Sequence, residues 1–479
     1  MIRNIINYFS SSSIIFILGI FLLPIYTRFL TPIDYGILAL YIAFGQIFTN
    51  IISFGLDTAN FRYFFKDKNK LDDFKETNST NLIILIILLF IGLIFTYFTL
   101  DFFEDFVFKK KISKNVIFIS YIFASLFKVY QYFFRLLIAQ ERSLLFSLIQ
   151  VLYFIIGNTA SLILIIFFSF NYMGKIYGDL LSVFLCLIIS IYLQRKYIGI
   201  SFSINKAKRS FKFSLPLTPN KVMGSIQTNA DKYIISIFRN LSELGIYELS
   251  QRLSNLNRLF VDNVIRAWQP YFYNNINKNN NIIVDIYYKI IFFLSIFYLS
   301  FIFFSEEIVY ILTTPDFYQA TYLMPLIICS MFFSITSAAI YSVQIMYSER
   351  TKYILPITFI EILINVSLNI VFIPMFGIFG AIISLLASSI VASLLGFFYG
   401  QKVCTLPIKY NKMYLVYIFL FFSSLFQLYF IDYNVDMVLK IIIKLLIICL
   451  YIFLLCLIKF ISVKDFQYLI NNLTKIITK

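Results

Sequence analysis

The chain has 479 residues, 60% of them hydrophobic, and its mean hydropathy is +0.84. Soluble globular proteins are about 45–50% apolar, so this excess cannot be hidden in a water-soluble core and requires a membrane as solvent. The formal net charge is +16, which in a membrane protein indicates basic cytoplasmic loops rather than nucleic-acid binding. The chain has no histidine, which excludes histidine proton relays, histidine metal ligands and Ser–His catalysis.

Apolar runs long enough to cross a bilayer recur along the whole chain. A spanning helix needs about 20 apolar residues, and by run length we count about fourteen candidate spans. Their approximate limits are 9–30, 36–60, 81–100, 115–137, 144–168, 176–194, 213–238, 245–268, 286–305, 320–346, 353–373, 377–399, 413–431 and 438–459. The seventh and eighth are the least hydrophobic. The predicted fold class is an all-α polytopic membrane protein.

The basic residues of the loops predict the orientation. With the N-terminus inside, the internal segments carry about three to four times as many Lys and Arg residues as the external ones, which places both termini in the cytoplasm. These internal segments are 62–80, 135–143, 195–212, 269–285, 347–352, 400–412 and 460–479. One external loop violates the rule, since it contains Lys109, Lys110, Lys111 and Lys114.

The chain repeats itself at an offset of about 200–210 residues, with four short matches in the same order. The matched segments are 34–37 and 243–246, 141–143 and 349–351, Asn158 and Asn365, and 178–182 and 380–384. A unit of six spans inserts both copies in the same orientation, and parallel repeats of this kind build two-lobed transporters with the substrate near the repeat interface. We predict lobes at 1–200 and 201–400, related by a pseudo-two-fold axis along the membrane normal. Two additional helices and a cytoplasmic tail follow at 401–479.

The eighth span carries a stripe of polar and charged residues within an arc of about 120°. The stripe consists of Glu248, Gln251, Arg252, Asn255, Arg258, Asp262 and Arg266. One charge at mid-bilayer costs about 2.5–3.5 kcal/mol, so several cannot face lipid. The stripe therefore faces water or partner groups. The alternative is an amphipathic helix on the cytoplasmic surface.

Other candidate lining residues come from the seventh span and the first lobe. On the seventh span Asn220, Gln227 and Asp231 share one face, and Lys221 and Lys232 lie beside it. The first lobe contributes Arg28, Asp57 and Lys128. Arg28 lies near a helix end, where snorkelling to the interface is an equally good interpretation. Arg135 is interpreted as a cytoplasmic anchor.

The predicted lining is polar, and its basic groups outnumber its acids. Phosphate forms strong charge-assisted hydrogen bonds with Arg and Lys. Asn, Gln, Ser and Tyr suit sugar hydroxyls. The pattern favours an anionic, hydroxylated cargo over a small apolar drug.

Several motifs resemble one family of membrane proteins. Residues 23–36 (LPIYTRFLTPIDYG) resemble the opening signature of the polysaccharide (O-antigen, Wzx-type) flippase family. Residues 55–64 (GLDTANFRYF) resemble the end of its second helix, and shorter matches are 229–233 (NADKY), 245–247 (GIY) and 374–381 (PMFGIFGA). The family belongs to the multidrug/oligosaccharidyl-lipid/polysaccharide exporter superfamily.

The resemblance implies two six-helix lobes, often with two further helices, and transport of undecaprenyl-diphosphate-linked glycans across a bacterial inner membrane by alternating access. It implies no enzyme activity and no cofactor, and it leaves coupling to H⁺ or Na⁺ open. The expected partners are the lipid-linked oligosaccharide, membrane lipids and the glycan polymerase machinery. We expect a monomer that binds no metal and no nucleic acid.

Two other function classes stay open at this point. One is a related carrier, either a peptidoglycan-precursor lipid flippase or a cation-coupled multidrug exporter. The other is a membrane enzyme such as a glycan polymerase or ligase. Such an enzyme usually needs a long external loop to hold its active site, and the predicted external loops are short. No P-loop pattern occurs in the sequence, which disfavours ATP-driven transport.

Overall fold

The computed structural model describes residues 2–67, 71–109, 111–276, 280–337, 341–433, 436–458 and 460. Within these residues there are 19 α-helices of five or more residues and no β-strand. Eleven of the described helices are long and apolar enough to cross a membrane, and Ala320–Thr336 is a shorter apolar helix. The predicted all-α polytopic membrane fold is confirmed. The seventh and eighth predicted spans are helical but are not among the eleven, and the eighth is divided between two shorter helices.

The chain divides into two compact units, and the first consists of Met1–Glu248 with Leu312–Phe317. Its helices are α1 (Ile2–Phe29), α2 (Pro32–Ile52), α3 (Leu56–Lys66), α4 (Leu71–Phe98), α5 (Lys114–Ala139), α6 (Ser143–Ile166), α7 (Asn171–Gln194), α8 (Ile204–Ser214), α9 (Thr218–Phe238) and the start of α10 (Leu241–Ser254). Helix α9 packs against α2 inside this unit. The predicted boundaries at residues 200 and 400 follow the sequence repeat rather than the packing, and they stay a prediction.

The second unit consists of Leu249–Ile311 and Tyr318–Lys479. It contains the rest of α10, then α11 (Arg258–Asn275), α12 (Asn280–Phe303), α13 (Ser305–Leu312), α14 (Ala320–Ser337), α15 (Val343–Tyr347), α16 (Ile354–Phe376), α17 (Ile378–Val403), α18 (Tyr410–Ile431) and α19 (Met437–Leu457). Helices α18 and α19 are the two predicted additional helices. Both pack against α12, and α18 also packs against α14.

The opening motif at residues 23–36 owes part of its pattern to a helix cap. The Thr31 hydroxyl accepts a hydrogen bond from the Asp34 amide (3.3 Å), and the Asp34 carboxylate accepts one from the Thr31 amide (2.8 Å). Pro32 begins α2, where its missing amide proton costs no hydrogen bond. This reciprocal capping box starts α2 sharply after the short turn from α1.

The internal repeat is visible in a pair of turns. Glu141 and Glu349 both adopt a left-handed conformation with φ of 57°, although neither is glycine. In each turn the next residue, Arg142 or Arg350, donates its amide proton to a carbonyl five residues earlier (3.0 and 3.2 Å). Both turns thus have the hydrogen bonding of a Schellman helix end. The matched sequence segments adopt the same local structure.

A second repeated motif provides a close helix crossing inside the first unit. A Cβ atom added to Gly245 would lie 1.8 Å from the Pro32 carbonyl oxygen and 2.9 Å from the Gly36 amide nitrogen. A Cβ atom added to Gly36 would lie 2.1 Å from the Leu241 carbonyl oxygen. Gly36 and Gly245 occupy matched positions in the repeat. Only glycine lets the starts of α2 and α10 approach backbone to backbone.

The lysine run at 109–111, which is predicted from the sequence to be external, has a local role. Lys111 Nζ donates hydrogen bonds to the carbonyl oxygens of Ser236 and Arg239 at the end of α9. Lys109 Nζ donates to the Ile237 carbonyl (3.4 Å). A cation at a helix C-terminus offsets the negative end of the helix dipole. Lys110 lies outside the described residues.

A buried ionic network fixes the last helix to the second unit. Lys444 is fully buried and pairs with Glu307 (2.6 Å) and Glu306 (3.3 Å), and Lys440 also pairs with Glu306 (3.2 Å). Two lysines on α19 thus balance two glutamates at the start of α13. Because charges in an apolar setting are costly unless they are paired, this network pins α19 to α13.

We predict that Gly245→Ala and Gly36→Ala each lower the free energy of unfolding by about 3 kcal/mol, because the new methyl group overpacks against backbone that has to move. Thermal unfolding of the purified protein in detergent measures the effect. Gly224→Ala is the control, since a Cβ atom there meets nothing within 4 Å. Equal melting of all three variants would contradict the close crossing.

We predict that Lys444→Met destabilises the protein by about 3–5 kcal/mol, because it leaves the buried Glu307 without its ion-pair partner. The double variant Glu307→Gln/Lys444→Met restores charge balance and should recover part of the loss, a coupling that thermal unfolding of both variants detects. Lys402→Met, at an exposed position, serves as the control. A single variant as stable as the wild type would rule out the network as an anchor of α19.

Candidate functional site

The candidate site is built around Asp57 in the first unit. The chain leaves α2 through Phe54 (φ 43°) and Gly55 (φ 67°), two left-handed residues that reverse its direction before α3 begins. Asp57 lies in the first turn of α3, where the helix dipole favours a negative charge. Its side chain is only 2% exposed. The turn therefore places a buried carboxylate beyond the end of the apolar α2.

Three cations surround this carboxylate. Arg135 on α5 pairs with Asp57 (2.6 Å), and Lys221 on α9 pairs with its other oxygen (2.8 Å). Lys128 on α5 adds a third positive charge nearby. We call these four residues the Asp57 cluster. Burial alone would raise the pKa of the Asp57 carboxyl, but the three positive charges outweigh it and hold the pKa below its usual range.

The cluster has an excess of positive charge that reaches solvent. The side chain of Arg135 is 43% exposed and that of Lys221 is 23% exposed, whereas Asp57 is covered. Three cations against one carboxylate leave two positive charges uncompensated within the cluster. Such a site can bind an anion through the exposed parts of Arg135 and Lys221.

A line of uncharged polar contacts continues from the cluster between α2 and α9. Lys128 donates a hydrogen bond to Asn50 (2.7 Å), and Asn50 donates to Ser225 (2.7 Å). One helical turn away from this contact, before Asn50 on α2 and after Ser225 on α9, the Asn229 side chain donates a hydrogen bond to Gln46 (3.1 Å). We call Gln46, Asn50, Ser225 and Asn229 the polar ladder. It lines the contact between α2 and α9 with amide and hydroxyl groups.

A second charged group lies further along α9 and at the start of α10. The buried Asp231 carboxylate accepts hydrogen bonds from the Tyr247 hydroxyl and from the Lys232 amide (2.9 Å). The Lys232 ammonium pairs with Glu248 (2.8 Å). Three of the predicted site residues, Asp231, Lys232 and Glu248, thus come together, and the sequence motif at 229–233 acquires a packing role.

The predicted eighth span consists of two helices, α10 and α11, joined by a tight turn at Asn255–Asn257. Arg252, Asn255 and Arg258 are exposed, whereas Leu249 and Leu253 on the other side are fully buried. The polar stripe and the apolar face are therefore separated in this part of the span. The side chains of Asp262 and Arg266 lie outside the described part of the structure.

Three predicted site residues lie apart from these contacts. Arg28, in the last turn of α1, is exposed, and so are Asn220 and Gln227 on α9. The face of α9 that turns into the first unit carries Lys221, Ser225, Asn229 and Lys232, at spacings of four, four and three residues, which keep them on one side of a helix.

Sequence analysis missed Arg135 and the α2 half of the polar ladder. Arg135 was interpreted as a cytoplasmic anchor, although it follows Lys128 by seven residues and therefore shares its helix face. Gln46 and Asn50 show the same signal, since they lie four residues apart. Helical spacing could have identified both pairs.

Among the solved structures that match this fold, three are informative. The lipid II flippase MurJ in an inward closed conformation has a TM-score of 0.73 at 17% identity, covering 96% of this chain and 100% of that one. An inward-facing multidrug resistance MATE family transporter of the MOP superfamily gives 0.64 at 16% identity, covering 79% and 92%. A MOP superfamily transporter from Pyrococcus furiosus gives 0.56 at 16% identity, covering 84% and 94%. At these identities the likeness establishes the fold alone, which is similar to that of MurJ and of the MATE transporters.

A search of curated protein sequences finds no match. The family model described as polysaccharide biosynthesis protein matches residues 1–276, more than half of the chain. The matched region contains the opening motif, the Asp57 cluster and the polar ladder. The chain belongs to the polysaccharide biosynthesis protein family of multi-pass membrane proteins.

Proposed function

We propose that this protein is a flippase that moves polyprenyl-diphosphate-linked oligosaccharide, such as an O-antigen, capsule or exopolysaccharide repeat unit, across a bacterial inner membrane. Transport runs from the cytoplasmic to the outer face by alternating access, with both termini in the cytoplasm. The family assignment supports a role in polysaccharide biosynthesis, and the MOP superfamily fold supports a transporter.

The positive excess of the Asp57 cluster is the observation that carries this proposal. Two charges remain uncompensated in a group of buried and half-buried side chains, and such an arrangement is costly unless an anion completes it. A diphosphate carries several acceptor oxygens that suit Arg and Lys donors. Arg135 presents a planar fork for two phosphate oxygens, and Lys221 provides a compact positive charge.

The polar ladder supports the glycan part of the substrate. Gln46, Asn50, Ser225 and Asn229 offer amide and hydroxyl groups that both donate and accept hydrogen bonds. Sugar hydroxyls need partners of both kinds. Arg252, Asn255 and Arg258 are exposed on the second unit and form a further polar surface of the same chemistry.

The ion pairs also suggest how an anion loosens α9. Lys221 binds Asp57 through a single contact of 2.8 Å and thereby holds the start of α9 to α3. A phosphate that binds Lys221 competes with Asp57 for the ammonium, so substrate binding weakens this connection. A ligand shifts a conformational equilibrium only through such a difference in contacts between two states. We propose that Asp231 and Glu248, the carboxylates of the second charged group, are the residues through which coupling to H⁺ or Na⁺ would act.

The second candidate is a lipid flippase for the peptidoglycan precursor. It is favoured by the likeness to the lipid II flippase, which extends over 96% of this chain. Both substrates carry a polyprenyl diphosphate, so the Asp57 cluster suits either one. They differ in the sugar part and in the phenotype of loss.

We predict that Arg135→Gln and Lys221→Gln each reduce flipping of a purified polyprenyl-diphosphate oligosaccharide in proteoliposomes at least about tenfold, because each removes a charge-assisted phosphate contact worth about 1.5–3 kcal/mol. Lys221→Arg keeps the charge and should retain most of the activity.

The matched controls are Arg142→Gln and Lys196→Gln, at exposed positions outside the Asp57 cluster. They should flip substrate at the wild-type rate. If the cluster variants flip normally while they fold and insert normally, the cluster has no role in substrate binding.

Deletion of the gene distinguishes the two candidate functions. We predict that deletion of the gene removes a surface polysaccharide while cells stay viable, because a glycan flippase is needed for the polymer and not for the cell wall. Staining of extracted glycans and growth curves are the measurements. Lysis on depletion, with lipid II accumulating inside and the surface polysaccharide intact, would instead identify a peptidoglycan-precursor flippase.

A further inference from the structure

The segment that joins α7 to α9, residues 195–217, carries only positive charges. It contains the helix α8, and short 3₁₀ turns precede and follow it. The candidate span of α7 ends at Tyr197, so this segment begins where the apolar part of α7 stops. We call it the α7–α9 linker. It has no Asp or Glu, and its basic residues are Arg195, Lys196, Lys206, Lys208, Arg209 and Lys212.

One face of α8 packs on the first unit and uses two of these cations. The helix contacts α3 and α4 through small buried residues. Lys206 pairs with Asp73 (3.1 Å) and lies 4.0 Å from Glu76, both at the start of α4. Arg209 pairs with Asp67, just after α3. The acids that form ion pairs with α8 are therefore engaged by Lys206 and Arg209.

The outer face of α8 is exposed and carries the other two lysines of the helix. Ile204, Asn205, Lys208 and Lys212 are all exposed, and their spacing places them within an arc of about 100° on the helix. Within the described part of the chain, neither Lys208 nor Lys212 forms an ion pair or a hydrogen bond. The outer face thus presents two unpaired ammonium groups one turn apart, beside an exposed apolar side chain.

Two more exposed apolar side chains precede α8. Ile200 is 99% exposed and Phe202 is 52% exposed. Their backbone is nevertheless fixed in place, because the amides of Gly199 and Ser203 donate hydrogen bonds to hydroxyl groups of α4 (2.7 and 3.1 Å). A fixed connection that presents large apolar groups outwards is unfavourable in water, and such patches mark surfaces that bind a membrane or a partner.

A membrane surface satisfies both features of the linker together. A helix that lies in the plane of the membrane buries its apolar side chains at the boundary of headgroups and acyl chains, and its lysines are attracted to anionic lipids. The linker has this combination, and it leaves and re-enters the helix bundle at α7 and α9. In the proposed orientation the adjacent leaflet is the cytoplasmic one, whose surface is negatively charged.

We propose that the α7–α9 linker lies in the membrane surface and binds anionic phospholipids. Ile200, Phe202 and Ile204 enter the boundary between headgroups and acyl chains, and Lys208 and Lys212 contact lipid phosphates. Because α8 is also paired with α3 and α4, lipid binding holds the linker and the first unit at one depth. The surface is made of different residues from the Asp57 cluster, and its ligand is not the transported substrate.

Quenching of a tryptophan placed in the linker tests the proposal in the full-length protein. Phe202→Trp provides the reporter, and the signal of the buried Trp268 is measured in the wild type and subtracted. Phosphatidylglycerol with brominated acyl chains, titrated into the delipidated protein, should quench the reporter and give a local Kd, and brominated phosphatidylcholine should bind more weakly. Adding Lys208→Gln/Lys212→Gln should raise the Kd for phosphatidylglycerol about tenfold or more, because two cations near the headgroups are lost. Lys208→Arg/Lys212→Arg should leave this Kd unchanged.

Lys352→Gln/Lys402→Gln in the same reporter protein is the matched control, since it removes the same charge from two exposed lysines outside the linker. It should leave Kd unchanged. In nanodiscs that contain phosphatidylglycerol, the water-soluble quencher acrylamide should reach the reporter poorly. A reporter that acrylamide quenches and brominated lipid does not would show a surface turned to water, as for a soluble acidic partner, and overturns the proposal. Equal binding of the two lipids, unchanged by Lys208→Gln/Lys212→Gln, overturns it as well.

Discussion

The ion pairs of Asp57 are the interaction on which the candidate site depends. A lone carboxylate at 2% exposure is unstable as an ion, and cations drawn into an apolar helix bundle are costly in turn. The carboxylate and the cations therefore stabilise one another. Because Arg135 comes from α5 and Lys221 from α9, satisfying Asp57 joins three helices that are far apart in the sequence. The excess positive charge that remains also allows the cluster to bind an anion.

The close crossing of α2 and α10 brings the same region together by a different means. Gly36 and Gly245 let two backbones touch, so the first part of α10, which belongs to the first unit, packs directly on the start of α2. The polar ladder lies between α2 and α9, and its α2 residues follow Gly36 in the chain. The glycines thus allow two helix backbones to approach closely, and the polar side chains of the ladder form hydrogen bonds between helices that lipid cannot supply.

Predictions from the sequence were most accurate where a physical rule allowed a single type of structure. Apolar runs predicted the membrane helices, and the repeat matched two segments, at Glu141 and Glu349, that the structure shows in the same turn. The sequence was least informative about pairing, because periodicity shows which residues share a helix face but not which helix that face meets. Arg135 illustrates the limit. A cation near a predicted helix end normally suggests an interfacial anchor, and only the position of Asp57 reveals an ion pair. Lys111 shows the same limit, since its partners are backbone carbonyls at the end of α9, which no side-chain pattern predicts.

The additional helices α18 and α19 show how a membrane protein secures elements that its repeat does not supply. Apolar packing cannot distinguish a neighbouring helix from lipid, since acyl chains are as apolar as leucine. Polar contacts can, and they occur at opposite ends of this pair. The Glu306–Lys444 network fixes the start of α19. At the opposite end, the Tyr288 ring of α12 packs against Phe460, which follows α19, and the Tyr288 hydroxyl accepts a hydrogen bond from the Lys409 amide just before α18. Polar contacts at both ends thus fix the two helices where apolar packing alone would not distinguish them from lipid.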